Sequence, residues 1–454
     1  MSRVRSSRAL LYDSEESESA LRAAFTGGAV PVAVYGLGKM GLPLASVYAD
    51  VTGNVTGVDV DTDTVVRINA GACPVDGEPG LPELVQDLVD DGALTATTDS
   101  ARAAAEAAVH VVIVPTLIDG GEPDLSVLEA AIRTVGSGLD SGDLVVVEST
   151  VPPRTCRDRI VPWLEAESDL TLGEFGVAFC PERTMSGRAL ADIRGTHPKV
   201  VGGIDGPSRD AATLVYRTIT DAEVIPVADA TTAECVKVFE GVYRDVNIAL
   251  ANELARMADE LGVDVTAAIE TANTQPYCDI HSPGPGVGGH CIPYYPHFLI
   301  EEFGTPTPLL ETARSVNDGM PSFTVEKLAE ELEAAGESLA DSTVVVLGLT
   351  YRAGVDETRA SPGVAIASAL ADRAETVFAA DPVCSSPPPD GVQRVPVDGV
   401  PDLDLDTAVL ATAHEEFTSL PDDAFEDVTV VDGHRALEAD DAARSVYAIG
   451  DGSN

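Results

Sequence analysis

Lysine is nearly missing from this chain: Lys39, Lys199, Lys237 and Lys327 are all it has, within a total of only 28 basic residues. Against them stand 75 acidic residues, giving a formal charge of -47 over 454 residues. So little positive charge excludes nucleic acid and anionic membranes as partners, since both are held through basic patches. With an ordinary apolar fraction of 44%, the balance looks like that of proteins from salt-accumulating halophiles, whose dense ions screen an acidic surface. A lysine retained in such a composition has more reason to be needed.

Paired cysteines are missing too. The seven cysteines (73, 156, 180, 235, 278, 291 and 384) are odd in number, scattered and without a CxxC pair, which suits a reducing cytoplasm better than a disulfide framework. No uninterrupted apolar run reaches membrane-spanning length. The first 30 residues carry Arg3, Arg5, Arg8 and an acidic SEES, with no apolar core of a secretory signal. They read as an N-terminal extension.

What is present begins at Val32–Leu37, a buried-strand pattern running into Gly36-Leu-Gly38-Lys39-Met40-Gly41 and a helix-like LPLASVYAD. In a GxGxxG turn between strand and helix, the first two glycines permit a tight turn and close pyrophosphate approach. The third lets helix and strand pack, with the phosphates at the helix N-terminus. A second strand, 55–59, ends on Asp59 about 20 residues later, as a dinucleotide fingerprint requires. Asp59 would bind the adenosine ribose hydroxyls and repel a 2'-phosphate, which favours NAD over NADP.

Strand and helix patterns then alternate: a helix over 81–91, a strand over 110–115, a helix from Leu125, a strand over 144–148, a helix after Pro153 and a strand over 177–181. This spacing predicts a doubly wound parallel sheet. Its strand ends, at Thr116, Glu148-Ser149-Thr150 and Glu182-Arg183, lie where such sheets bind ligands. Thr116 either orients a water or sugar hydroxyl or caps a helix, and Glu182 is a candidate base.

From Thr231 helical periodicity holds for roughly 30 residues, about 50 Å of helix, long enough for a spine between two domains. Lys237, Gly241, Arg244 and Ile248 share one face of it, where an anion could approach. A short helix over 265–273 leads to the loop SPGPGVGGHCIPYY (282–295), in which Gly286, Gly288 and Gly289 precede His290 and Cys291. Glycines before a cysteine bring backbone near a ligand and then present a thiol to it, so Cys291 is the candidate nucleophile. His281, His290, Cys291 and His297 match no standard zinc spacing, and no metal is expected. After another helix, 309–332, a second α/β unit begins. Its strands lie at 343–349, 376–380, 408–411 and 428–431, its helix at 362–373, and Tyr351, Arg352 and Arg359 stand between strand and helix, where the arginines could meet phosphate or carboxylate.

In order along the chain, GLGKMGLPLA (36–45), EPGL (78–81), VPT (114–116), ESTVPPRT (148–155), CPER (180–183), AECVK (233–237), GPGVGGHCIP (284–293) and GLTYRAGVDETRASP (348–362) resemble the UDP-glucose/GDP-mannose dehydrogenase superfamily over about residues 31–435. CPER, YRDVNIALANEL and GPGVGGHCI look more like its UDP-N-acetylhexosamine branch, especially the UDP-N-acetyl-D-mannosamine 6-dehydrogenases.

The resemblance implies two Rossmann-like doubly wound parallel-sheet domains joined by a helical middle domain with a long central helix. The expected division is an extension (1–30), an NAD-binding domain (31–228), a central dimerisation domain with the cysteine loop (229–335) and a UDP-sugar-binding domain (336–454). It implies a cytoplasmic homodimer using NAD for a four-electron oxidation of a UDP-sugar at C6, in polysaccharide or glycan precursor synthesis. It further implies Cys291, Lys237, Glu182 and Thr116 as catalytic residues. Gly36, Gly38, Lys39, Met40, Gly41, Asp59, Thr116 and Thr150 would hold the cofactor; Arg244, Gly286, Gly288, Gly289, His290, Tyr351, Arg352 and Arg359 would hold the substrate. UDP-glucose oxidation and a non-catalytic paralogue that binds NAD and a UDP-sugar stand as alternatives.

Four positions depart from the family pattern: Gly241 replaces an asparagine four residues after the lysine, Tyr295 an acid four residues after the cysteine, Ser186 a glutamate and Arg352 a lysine. The first two remove polar groups that help hold the oxyanion, the lysine and the hydrolytic water.

Overall fold

The computed structural model describes residues 8–185, 187–437 and 443–452. Arg3, Arg5 and Ser186 lie outside the described residues. The chain divides into two compact units, residues 1–239 and 240–454, and the division falls inside one helix, Ala230–Arg256.

The first unit is built on an eight-stranded sheet. Its strands are β1 Val32–Tyr35, β2 Val55–Val58, β3 Leu94–Thr97, β4 Val109–Val112, β7 Leu144–Val147, β8 Gly176–Phe179, β9 Lys199–Gly203 and β10 Val224–Pro226; β5 Leu117–Asp119 and β6 Glu122–Asp124 form a separate hairpin. The order is β10-β9-β8-β7-β4-β1-β2-β3. β1, β4, β7 and β8 are buried at every position, so they read as continuous apolar runs, the mark of strands covered on both faces. Pairing is parallel except between β8 and β9, where Ala178 faces Gly203. That join refines the expected parallel sheet: β9 returns antiparallel.

Residues 8–30 are part of this unit's packing. Leu11, Tyr12 and Phe25 are buried, and the Arg8 guanidinium pairs with the buried Asp143 carboxylate at 2.7 Å. Burying three large side chains contributes several kcal/mol, enough to tie down a segment that sequence composition marks only as an extension.

The second unit carries a six-stranded, wholly parallel sheet. It comprises β11 Thr343–Leu347, β12 Thr376–Ala380, β13 Val392–Arg394, β14 Thr407–Leu410, β15 Thr429–Asp432 and β16 Ser445–Ala448, in the order β13-β12-β11-β14-β15-β16. Counted from each unit's own first strand, both sheets contain the order 3-2-1-4-5-6, with the crevice beside the first strand where doubly wound sheets bind ligands. The resemblance extends to atoms. A Cβ on Gly41 would collide with the Gly36 carbonyl and one on Gly363 with the Gly348 carbonyl, so each first helix sits hard against its strand end.

The strand-end acids differ in use. Asp59 accepts from Leu37 N at 2.8 Å and Asp61 N at 2.9 Å. Asp381 accepts from the backbone nitrogens of Leu349, Thr350, Val383 and Cys384 and from the Thr350 hydroxyl. Burial raises its pKa, but the hydrogen bonds from His414 and the backbone outweigh that and hold it well below the ordinary carboxylate range. It is a structural knot.

The spine helix spans 27 residues, about 40 Å, with its start fixed by Asp229, which accepts from Thr232 N at 2.7 Å. It ends at Arg256, and the short helix Ala258–Leu261 that follows is closed by Gly262, whose φ of +61° lies in the left-handed region. Pro308–Ala334, also 27 residues, carries Pro321 in its interior.

Candidate active site

In the first unit, Gly36 ends β1 with φ of +96°, and a Cβ there would collide with the Ile113 carbonyl. Gly41 opens the twelve-residue helix Gly41–Thr52. Gly38, between them, has nothing within 4 Å of where its Cβ would be. The turn is thus closed behind by its own backbone and bare in front, at a helix N-terminus, which is the cradle a pyrophosphate needs. Lys39 is exposed on it, the Met40 sulfur accepts from the Thr184 hydroxyl at 3.0 Å, and Asp59 stands at the tip of the neighbouring strand. These residues fit an NAD-type dinucleotide.

Thr116 donates its hydroxyl to the Thr150 carbonyl at 2.6 Å, tying the loops after β4 and β7. It precedes the β5–β6 hairpin rather than a helix, so the capping alternative does not describe it.

Glu182 follows β8 and is 8% exposed. One oxygen accepts from Thr184 N at 2.6 Å, and its backbone carbonyl accepts from the Lys237 ammonium. The structure therefore brings Lys237 and Glu182 together. Behind them lies a buried charged cluster. Lys199 Nζ is 4.0 Å from Glu182 Oε1, and the Tyr216 hydroxyl donates to the fully buried Glu148. Burial is the main force pushing the Glu148 carboxyl up to about 8; Lys199 opposes it and Glu182 adds to it. Burial alone would pull Lys199 down, but Glu182 and Glu148 outweigh it and the ammonium is retained. Glu78, from the EPGL stretch, is also buried and accepts from Gly187 N at 2.5 Å and Ala189 N at 2.9 Å, anchoring the loop that follows Glu182.

In the second unit, the glycine loop rests on the chain's own aromatic side chain. A Cβ on Gly288 would stand 2.6 Å from Tyr351 Cβ, and one on Gly289 2.9 Å from Tyr351 Cε2. Gly289 N also donates to the Arg359 carbonyl at 2.9 Å. The close approach inferred from the glycines is thus filled, at these two positions, by Tyr351. At Gly286, φ is +145° and a Cβ would meet the Pro362 ring at 3.0 Å.

His290 follows, with Nδ1 3.9 Å from a Glu357 oxygen, and Glu357 also lies 3.5 Å from Arg359 Nε. A hydrogen bond to the Cys291 side chain is the largest influence on the imidazole and raises its pKa, against burial. A cationic imidazole beside a thiol favours the thiolate. The seven cysteines stand outside any disulfide, and Cys291 alone among them is exposed. Arg244 and Arg352 are exposed. Among the described residues no group of three His, Cys, Asp or Glu could hold a metal ion, and no helix is long and apolar enough to cross a membrane.

Sequence models of the UDP-glucose/GDP-mannose dehydrogenase family match three successive parts of the chain: the NAD binding domain at 30–220, the central domain at 231–319 and the UDP binding domain at 345–439. The chain belongs to the UDP-glucose/GDP-mannose dehydrogenase family. It is accordingly an NAD-dependent UDP-sugar dehydrogenase. It is 37% identical over 390 residues to the UDP-N-acetyl-D-mannosamine dehydrogenase of Pyrococcus horikoshii, covering 86% of this chain and 90% of that one. It is 35% identical to the NDP-N-acetyl-D-galactosaminuronic acid dehydrogenase of Ralstonia nicotianae, over 88% of this chain and 95% of that one. The solved structure of UDP-D-ManNAc dehydrogenase from Pyrococcus horikoshii superposes with a TM-score of 0.85 at 34% identity, covering 94% of this chain and all of that one.

Within this dehydrogenase, sequence reasoning marks Glu148 only as part of a ligand-facing strand end and does not single out Lys199, Tyr216 or Glu357 as site residues. Lys199 carried one signal, the scarcity of lysine. The others are chemically ordinary letters whose burial or neighbours appear only on folding.

Proposed function

We propose that the chain oxidises the C6 hydroxyl of UDP-N-acetyl-D-mannosamine to the carboxylate, consuming two NAD+ per sugar. The exposed Cys291 thiol carries this reading, because a second oxidation needs the intermediate aldehyde to be held as a hydride donor and a thiolate can do so. The sugar is chosen on the kinship with dehydrogenases named for it.

Bound at the Gly36–Gly41 turn, NAD+ supplies the hydride acceptor for each oxidation. Lys237 helps a base take the hydroxyl proton, and its ammonium stabilises the developing alkoxide, an effect commonly worth a few kcal/mol. The Cys291 thiolate adds to the aldehyde carbon as a thiohemiacetal. After the second oxidation leaves a thioester, a water oriented by Thr116 and deprotonated by Glu182 cleaves it, releasing the uronate and the thiol. Tyr351, Arg352, Arg359 and Arg244 hold the nucleotide-sugar, together with His290, and the loop glycines let the loop pack on Tyr351 and Pro362.

We assign 31–228 to NAD, 229–335 to the helical centre and 336–454 to the UDP-sugar. Tyr243, Leu250, Met257 and Leu261 expose apolar surface along and just beyond the spine helix, which supports a homodimer through that face. Seven cysteines outside any disulfide fit the cytoplasm.

A panel of UDP-N-acetylmannosamine, UDP-N-acetylglucosamine, UDP-N-acetylgalactosamine and UDP-glucose, followed by NADH formation in molar salt, tests the reading. The mannosamine sugar should show the highest kcat/KM. A higher value for another sugar refutes the substrate, and no turnover with any despite NAD binding refutes the activity.

A further inference from the structure

Gly241 and Tyr295 are the two positions near Lys237 and Cys291 where the chain leaves the family pattern, and the structure places them against each other. Gly241 is buried inside the spine helix, where glycine costs about 1 kcal/mol relative to alanine. A Cβ at 241 would stand 2.9 Å from Tyr295 Cγ and 3.0 Å from Cε2, and closer still to Cδ2. The tyrosine is 7% exposed, and its ring also stacks on the Phe298 ring at 5.9 Å and 29°. Tyr294 N and Tyr295 N both donate to the Cys291 carbonyl, at 3.1 and 3.0 Å. Cys291 and Tyr295 are therefore the two ends of one closed turn, and the far end of that turn is seated on bare helix backbone.

We infer that Gly241 and Tyr295 are a matched positioning pair, the tyrosine ring seated in the notch left by the missing side chain so that the Cys291 turn is fixed on the spine helix. One exchange explains both departures. An asparagine at 241 has no room while the ring is present, and an acid at 295 leaves the notch empty. The pair replaces two polar groups with a packed contact, so at this place the chain offers neither an amide nor a carboxylate to the reaction. Tyr295 acts on the chemistry through Cys291.

The inference rests on Cys291 being the nucleophile, and its test includes a readout independent of sugar turnover. Cys291 alkylation by iodoacetamide, followed by peptide mass, is measured beside kcat, KM for NAD and thermal unfolding in the full chain. Gly241→Asn and Tyr295→Asp should each change the alkylation rate and lower kcat by about tenfold, with KM for NAD unchanged. The Gly241→Asn/Tyr295→Asp double variant should return to within about threefold of the parent, because coupled neighbours are non-additive. Multiplying losses in the double variant overturn the proposal. If a single variant fails to fold, Tyr295→Phe and Tyr295→Ala decide: phenylalanine keeps the ring and should rescue the alkylation rate that alanine loses. Equal behaviour of the two overturns the proposal. Unchanged sugar specificity with a failed cycle would refute the pair alone, whereas an unreactive Cys291 in the parent would refute the nucleophile reading beneath it.

Discussion

Replacing Glu148 with glutamine should stabilise the first unit above acid pH and flatten its pH dependence. The carboxyl ionises near 4.5 in an unfolded chain and is pushed up to about 8 in the fold. Below 4.5 both states hold the proton, and the site's contribution is fully present. Between 4.5 and 8 the unfolded chain releases the proton while the folded chain keeps it, so stability falls as pH rises; above 8 the loss is complete. At about 1.4 kcal/mol per pH unit, the loss is roughly 3 kcal/mol at pH 7 and at most about 5 kcal/mol beyond pH 8.

Glutamine keeps the shape of Glu148 and an oxygen for the Tyr216 hydroxyl, but it carries no charge to desolvate. For a unit of 239 residues, 3 kcal/mol corresponds to a midpoint shift of roughly 6–12 °C. Thermal unfolding of parent and Glu148→Gln from pH 5 to 9, in molar salt, should give curves that converge at pH 5 and separate by that amount at pH 7 and more at pH 8. Parallel curves would refute the assignment of the buried proton to Glu148.

Other outcomes follow from the same geometry. Lys199→Met leaves Glu182 without its buried cation and should cost about 3–5 kcal/mol; above pH 8, where Glu148 is also charged, the cost should be smaller in a Glu148→Gln background, as unfolding midpoints of the four forms will show. Asp59→Asn removes the charge that repels a 2'-phosphate, so the NAD to NADP ratio of kcat/KM should fall by about tenfold or more, and an unchanged ratio would show that Asp59 does not face the ribose. Cys291→Ser should stop turnover after at most the first oxidation, and full uronate production by that variant refutes the thioester route.

The ordered apolar runs made most of the fold legible. Val32–Tyr35, Leu144–Val147 and Thr376–Ala380 are strands in the structure within a residue or two of where the pattern put them. β3 and β13 are not legible in the sequence, because they are short edges: in Leu94–Thr97 the buried Leu94 and Ala96 alternate with an exposed Thr95 and a half-buried Thr97, and Val392–Arg394 is exposed at two of three positions, so neither has the continuous apolar signal of a covered strand. Lys199–Gly203 hides as a loop because of its terminal Gly-Gly, although every residue in it is buried. The cofactor turn was legible because phosphate chemistry demands glycine at fixed spacing. The cluster behind Glu182 was not, since Glu148, Lys199 and Tyr216 lie on three separated elements and acquire their properties from burial. Tyr295 is the instructive case: in sequence it is a missing acid, and in the fold it is the occupant of the space that Gly241 opens.

The central claim is a four-electron oxidation through Cys291, and the most direct measurement is the NADH formed per sugar consumed, with the product identified by mass. The account gives two NADH for each UDP-N-acetylmannosamine and a uronate product. One NADH with an accumulating aldehyde would contradict it.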